Sequence, residues 1–436
     1  MLQTVKNAWK LPELRNKILF TIFILIVFRF GSVLSVPFVD SSVLKEAFAQ
    51  QTAGTILDYF NMLSGEAFSR ATLFALSISP YITAQIVIQL LTIAIPALER
   101  MAKEGDEGRK KLSQITRYVT VALALLTAYG YYTYIKNTAG MAIQHDGVNQ
   151  HFAAAVIIAC YCAGAAIIMW LAEKINEKGI GNGISIILLA NIVSRVPNNI
   201  IVAGRNLFTD FKLTTLIVDL LLIVIAVATV LFVVHMSDAE RRVPVQYAKR
   251  QVGRRMYGGQ STYLPLKLNM TGVMPIIFAS SIVTLPSTIG LMVGKDATSG
   301  GFWGGFLKLF SYTSPLYSIL FFVLIIAFAY FYISISFNPI EVANNLKKNG
   351  GSILGIRPGK PTSDYIARIL SRITLIGAIF LGIIAVLPIV LTMIDQSFGS
   401  LAFAGSSIII VVGVIVETQT EIETQMSMRH YKGFLE

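Results

Sequence analysis

Chemistry in this chain of 436 residues is concentrated in one basic, tyrosine-bearing stretch, "YAKRQVGRRMYGGQSTYLPLKLN", residues 247–269. Lys249, Arg250, Arg254, Arg255 and Lys267 lie within it, and Arg241 and Arg242 stand just upstream. Tyr247, Tyr257 and Tyr263 are interleaved with them. Cationic groups that neutralise phosphates, set among rings that can stack on bases, are the pattern of a nucleic-acid-binding surface. No other cluster in the sequence offers comparable chemistry. The glycines of "GIGNGIS", residues 179–185, mimic a phosphate loop, but their spacing fits neither the dinucleotide nor the lysine-bearing version. They suit a tight turn and close packing instead. His145, His151, His235 and His430 are scattered and form no ligand set. Cys160 and Cys162 are two apart in an apolar run, so on a helix they point roughly 200° apart and clamp no metal. No Ser/His/Asp set or carboxylate pair stands out. We expect no catalytic centre, no metal and no cofactor.

The elements that must carry the basic stretch are greasy. Hydrophobic residues make up 54% of the chain and charged ones only 14%, and the mean hydropathy is +0.66. A soluble protein carries about a quarter charged residues, so this is a membrane protein. Ten stretches are near the twenty apolar residues that a spanning helix needs: 18–37, 71–95, 118–136, 153–172, 184–203, 214–235, 272–293, 315–335, 373–392 and 401–419. The N-terminal segment, 1–17, is polar and lacks the apolar core of a cleaved leader. With that segment and the even-numbered loops on one side, 27 Lys and Arg fall there against 7 on the other. The positive-inside rule then places both termini, including the tail 420–436, in the cytoplasm. The long loops 96–117, 236–271 and 336–372 are cytoplasmic as well.

Two features stand apart from ordinary spans. Residues 58–68 form a short semi-polar piece, with Tyr59, Phe60, Met62, Leu63 and Phe68 giving it apolar character and a break near Gly65. It is too short to span, and irregular backbone at membrane depth is tolerated only inside protein or a water-filled cavity. We therefore expect it to fold back into a cavity. Charges within spans are few. Arg195 and Glu417 lie near span ends and can snorkel, Asp219 sits near an external start, and Arg29 is deeper, where it could join a helix-packing pair. Such sparse charge argues against the alternative of a secondary transporter, which needs coupling-ion ligands at midplane.

Four segments, "SISPYITAQIVIQLL", "GIGNGISII", "YAKRQVGRRMYGGQSTYLPLKLNMTGVMPIIFASS" and "FNPIEVANNLKKNGGSILGIRPGKPT", together with the tail "ETQTEIETQMSMRHYKGFL", resemble the SecY family. These are the protein-conducting channels of the bacterial Sec translocon. The resemblance implies an all-α integral membrane protein of ten transmembrane helices in two pseudo-symmetric inverted halves, 18–203 and 204–419, around an hourglass pore. It implies a plug at 58–68 and a pore ring of Ile78, Ile82, Leu188, Ile277 and Ile410. Leu188 stands where isoleucine is commoner, and Ala404 stands where a glycine is usual. An apolar ring blocks ions, because a charge cannot shed its water there without replacement ligands.

A lateral gate between spans two and seven is implied too. Gln85 and Gln89, four apart on one helix face, would meet Ser280, Ser281 and Thr284. The implied docking surface for the SecA motor or a ribosome comprises Arg241, Arg242, Lys249, Arg250, Arg254, Arg255, Lys347, Lys348, Arg357 and Lys360. Its arginines would bind rRNA phosphates or SecA carboxylates. The implied partners are SecE, SecG, SecA, ribosomes with their rRNA and proteins, signal peptides, translocating polypeptides and membrane lipids, with no DNA. The site is the bacterial plasma membrane, and ATP hydrolysis falls to SecA and not to this chain.

Overall fold

The computed structural model describes residues 2–51, 56–143, 149–209, 213–247, 250–252, 255–257, 261–293, 301–311, 314–394 and 404–432. The first part of the chain is helical: α1 (Leu2–Lys10), α2 (Pro12–Gly31), α3 (Ser41–Gln51), α4 (Ile56–Leu63), α5 (Ser79–Ala94), α6 (Pro96–Lys103), α7 (Asp106–Thr138), α8 (Gln150–Lys178) and α9 (Gly183–Thr209). After α10 (Leu213–Asp238) come four strands, β1 (Glu240–Tyr247), β2 (Arg250–Val252), β3 (Arg255–Tyr257) and β4 (Ser261–Lys267). The chain then runs through α11 (Met274–Val293), α12 (Phe302–Leu309), α13 (Pro315–Ser336), α14 (Pro339–Lys348), β5 (Gly351–Ile353), α15 (Lys360–Ile394) and α16 (Ala404–Lys432).

Every one of the ten apolar stretches falls on a helix: α2, α5, α7, α8, α9, α10, α11, α13, α15 and α16. Among the described residues, Gln150–Lys178, Pro315–Lys348 and Lys360–Leu391 are each long and apolar enough to cross a membrane. The pair α5 and α6 qualifies together, bent by 101° where Pro96 opens α6. Several helices run well beyond the apolar core. The first dozen residues of α7 and of α15 extend the spans that follow them, α7 with a mainly polar stretch and α15 with an amphipathic one.

Two sequence expectations need correction. Span two begins at Ser79, not at 71, because Pro80 occupies the first helical turn, where its missing N–H is harmless. Residues 64–78 are a series of turns, with Ala71 at φ +47° and Ser77 at φ +52°, a left-handed conformation no α-helix accommodates. Arg29 joins no helix-packing pair: it lies exposed in the last turn of α2, where a cation complements the helix dipole, and forms no ion pair among the described residues. Arg195, near the end of its span, faces a carboxylate: its Nε lies 3.9 Å from Glu66 Oε1. The Asp219 side chain lies outside the described residues.

The all-α expectation holds through the membrane helices, and the two long loops add a small β-structure. Strand β1 pairs antiparallel with β4, from Glu240 opposite Lys267 to Gln246 opposite Ser261, and on its other edge with β5, Val245 opposite Ile353. Strands β2 and β3 form the hairpin tip. Val243, Val245, Leu266 and Ile353 are buried against Ile366 and Leu370 of α15. The glycine run proves to be a turn and packing device: Gly181 is left-handed at φ +80°, and a Cβ on Gly183 would stand 2.0 Å from the Ala172 carbonyl oxygen.

Candidate functional site

Five aliphatic side chains from four helices meet in one buried cluster. Ile78 caps the start of α5 and Ile82 lies one turn on; Leu188 comes from α9, Ile277 from α11 and Ile410 from α16. None is more than 3% exposed. The i, i+4 spacing of Ile78 and Ile82 stacks them on one face. The same spacing places Ile192 beside Leu188, and Ile192 is buried in the same cluster. It was absent from the sequence expectation, yet its position relative to Leu188 signals it.

The short helix α4 carries Met62 and Leu63 into this cluster. The break falls at Gly65, which is left-handed at φ +63°. Phe60 and Phe68 turn the other way, into a second cluster with Tyr131 and Tyr161. Phe68 lies 4.3 Å from the Tyr131 ring, centroid to centroid. The Tyr59 side chain lies outside the described residues. The expected fold-back into the protein interior is thus observed, and polar contacts hold it. Asn191 on α9 donates from Nδ2 to the Leu63 carbonyl at 2.7 Å, and Ser77 Oγ donates to the same oxygen at 3.0 Å. Tyr131 on α7 donates its hydroxyl to the Phe68 carbonyl. Ser407 on α16 donates to Met62 Sδ at 3.0 Å. Glu66 accepts from Arg70 at 2.6 Å and also faces Arg195. Sequence reasoning singled out none of Asn191, Ser77, Tyr131 or Ser407, because lone polar residues in apolar helices carry no spacing signal.

Spans two and seven, α5 and α11, pack against each other. An apolar cavity of about 50 Å³ lies where the start of α5 meets the end of α11, bounded by Phe60, Phe68, Pro80, Tyr131 and Thr288. The polar residues of α11 do not reach across the seam. Ser280 and Ser281 both donate to the Ile277 carbonyl, at 2.9 and 2.8 Å, and Thr284 donates to the Ser281 carbonyl at 2.9 Å. Gln85 and Gln89 are half-buried, and Gln89 Oε1 is buried without a hydrogen-bond partner among the described residues. The expected cross-helix hydrogen bonds are therefore replaced by bonds within α11, as hydroxyls near a helix's own carbonyls tend to form.

The basic residues lie on the loop structures. Arg241 and Arg242 are exposed on β1, and Arg242 is paired with Glu240 at 2.7 Å. Lys347 and Lys348 end α14, Arg357 stands in the turn after β5, and Lys360 opens α15, all exposed. Arg250 and Arg255 fall on β2 and β3, opposite ends of the same hairpin, with side chains outside the described residues. Lys249 and Arg254 lie outside the described residues altogether. No group of three or more His, Cys, Asp or Glu able to hold a metal occurs among the described residues.

Comparison with known proteins gives consistent results. A family model described as SecY matches residues 72–419. The protein translocase subunit SecY of Streptomyces coelicolor is 41% identical over 453 residues, covering 100% of both chains. A solved structure concerning the plug domain of SecY, which stabilises that channel's closed state and maintains a membrane seal, superposes with a TM-score of 0.65 at 18% identity, covering 97% of each chain. Sec61 in a canine ribosome–channel complex from the endoplasmic reticulum superposes with a TM-score of 0.58 at 16% identity, again over 97% of each chain.

Proposed function

The chain belongs to the SecY family, and we propose that it is the channel through which a Sec translocase passes unfolded polypeptides across the membrane and releases apolar segments sideways into the bilayer. The observation that carries this is the seating of Met62 and Leu63, from a helix too short to span, in the aliphatic cluster of Ile78, Ile82, Leu188, Ile277 and Ile410. An apolar constriction excludes hydrated ions, and branched aliphatic side chains make no directional bonds that would select one passing sequence over another.

The finer assignments follow. Residues 58–68 act as the plug, and 18–203 and 204–419 act as the two halves that part around it. The α5–α11 seam serves as the lateral gate, opened by a signal peptide against packing forces more than against hydrogen bonds. The exposed cations of β1, α14 and the turn at Arg357 form a cytoplasmic docking surface for a ribosome or for SecA, which supplies ATP hydrolysis that this channel subunit does not perform. SecE and SecG complete the complex in the plasma membrane, with both termini cytoplasmic. Transporter chemistry has no support, and Arg195, one of the few charges in the spans, faces Glu66 at 3.9 Å.

Site-specific photocrosslinking tests the channel. With a photoreactive residue at Ile82, and separately at Ile277, a secretory precursor arrested halfway should crosslink strongly from both positions. Labelling of lipid or neighbouring helices alone would show that these isoleucines are core packing and would remove the pore.

A further inference from the structure

We propose that Asn191 is the latch that holds the plug shut, through an amide that pins the end of the plug helix to span five, with the Ser77 hydroxyl just before span two as its second donor. The inference rests on the assignment of 58–68 as a plug. Leu63 is the last residue of α4, so its carbonyl has no helical amide to accept from. Asn191 Nδ2 donates to it at 2.7 Å and lies 3.3 Å from Ser77 Oγ, which donates to the same carbonyl at 3.0 Å. Two donors thus fill the two lone pairs of one oxygen. Leu63, Ser77 and Asn191 are all buried, Asn191 completely.

The amide sits at some cost. Only its NH₂ end can face a carbonyl, so Oδ1 is left buried with no hydrogen-bond partner among the described residues. A half-satisfied amide inside an apolar constriction is unfavourable compared with an aliphatic residue of the same size. Simple packing would be better served by leucine. What the amide adds is a contact that exists only when the plug is seated.

The backbone around it is shaped to the same end. Ser77 and Glu66 are left-handed non-glycine residues, at φ +52° and +70°. Such conformations persist where the surroundings over-determine them. Gly65 comes so near that a Cβ there would stand 3.0 Å from Asn191 Oδ1 and from Ser194 Oγ. Arg195, next along α9, faces Glu66 at 3.9 Å. The plug therefore meets α9 over a fitted polar contact, whereas Met62 and Leu63 meet the ring through non-directional apolar packing. Once the plug leaves, the Leu63 carbonyl and the Asn191 amide both meet water, so the latch is weak enough to release.

Ion conductance of the reconstituted complex tests this with four chains: native, lacking residues 58–68, Asn191→Leu, and Asn191→Leu within the deletion. The native channel should be tight and the deletion should leak. Asn191→Leu should raise resting conductance about tenfold, the change that 1.4 kcal/mol makes in an equilibrium, and should add nothing within the deletion. An Asn191→Leu channel as tight as native, beside a leaking deletion, overturns the latch and leaves the plug standing. Extra leak within the deletion overturns it too, because the residue would then act on the ring directly. A deletion that does not leak removes the plug, and the latch with it. Ser77→Ala, which takes away the second donor, should raise conductance less and in the same direction. An unchanged Ser77→Ala channel would count against the latch even if Asn191→Leu failed to fold.

Discussion

Gly164 on α8 lies directly beneath the main chain of Leu73: a Cβ at position 164 would stand 1.9 Å from the Leu73 carbonyl oxygen. Leu73 belongs to the irregular segment between α4 and α5, and its own N–H donates to the Leu34 carbonyl at 2.8 Å. The segment is therefore fixed on both sides by backbone, which cannot swing away as a side chain can. Gly164→Ala should destabilise the protein by about 1–3 kcal/mol, the range for forcing extra atoms into a packed interior. Gly31→Ala is the contrast, since its Cβ would meet the Phe74 ring at 2.2 Å, and a ring stacked on Phe28 can shift. Thermal unfolding in detergent, followed with a thiol-reactive dye at Cys160 and Cys162, should show the larger drop in Tm for Gly164→Ala.

How much of this was legible in the sequence differs from element to element. Ten helices could be placed because lipid leaves the backbone no other way to satisfy itself, so a run of apolar residues near twenty long has one meaning. The start of span two was misplaced because Ala71–Ile78 is as apolar as a helix. Pro80 marks the true start, since proline favours the first turn. The strands were hidden for a different reason. Within "ERRVPVQY" only Val243 and Val245 are buried, Pro244 interrupts the pattern, and the partner β5 has three residues a hundred positions away. The meeting of Ile78, Ile82, Leu188, Ile277 and Ile410 in one buried cluster was legible only by resemblance, as an isoleucine in a membrane helix is ordinary until its neighbours are known. Asn191 has no signal in "ILLANIVS" beyond being polar; its meaning comes from the Leu63 carbonyl it meets.

Asp40 supplies a pH-dependent element in the segment after span one. Its carboxylate accepts from the Ser42 N–H at 2.9 Å and from Ser42 Oγ at 2.6 Å, capping the start of α3. The Ser42 hydroxyl, followed by the Ser42 N–H, holds the carboxyl below its usual 3.8. A carboxylate with a lowered folded value stabilises the cap above the unfolded value and loses that contribution as pH falls through the folded one. The protection factors for amide exchange at residues 42–44, taken against the intrinsic rate at each pH, should therefore be raised at neutral pH and should fall only below about pH 4. Asp40→Ala should abolish the protection at neutral pH and make it independent of acid, whereas Asp40→Asn, which keeps an acceptor, should retain most of it. Protection in Asp40→Ala equal to that of the native chain would show that the carboxylate is not the cap.

The pairing of Val245 with Ile353 makes the two long loops, 236–271 and 336–372, one structural unit. Val245 is 1% exposed and Ile353 4%, and both pack onto Ile366 and Leu370 of α15. The exposed cations of β1 and of the turn at Arg357 are thus held at a set spacing by a shared sheet and not by two flexible arms. Val245→Asp puts an unpaired charge into that small core and should cost about 3 kcal/mol or more locally. Limited proteolysis should then cleave both loops together, at 236–271 and at 336–372, while the spans stay folded. Cleavage of the first loop alone would mean that the loops fold independently. Arg357→Glu separates position from charge. The side chain is exposed, so stability should change by no more than about 0.5 kcal/mol, and the docking proposed for it should weaken. If the partner surface is phosphate, native binding should fall steeply with salt, and the slope should drop by about one for the missing cation. Loss of binding in Val245→Asp with Arg357 intact would show that the sheet, and not charge alone, presents the docking surface.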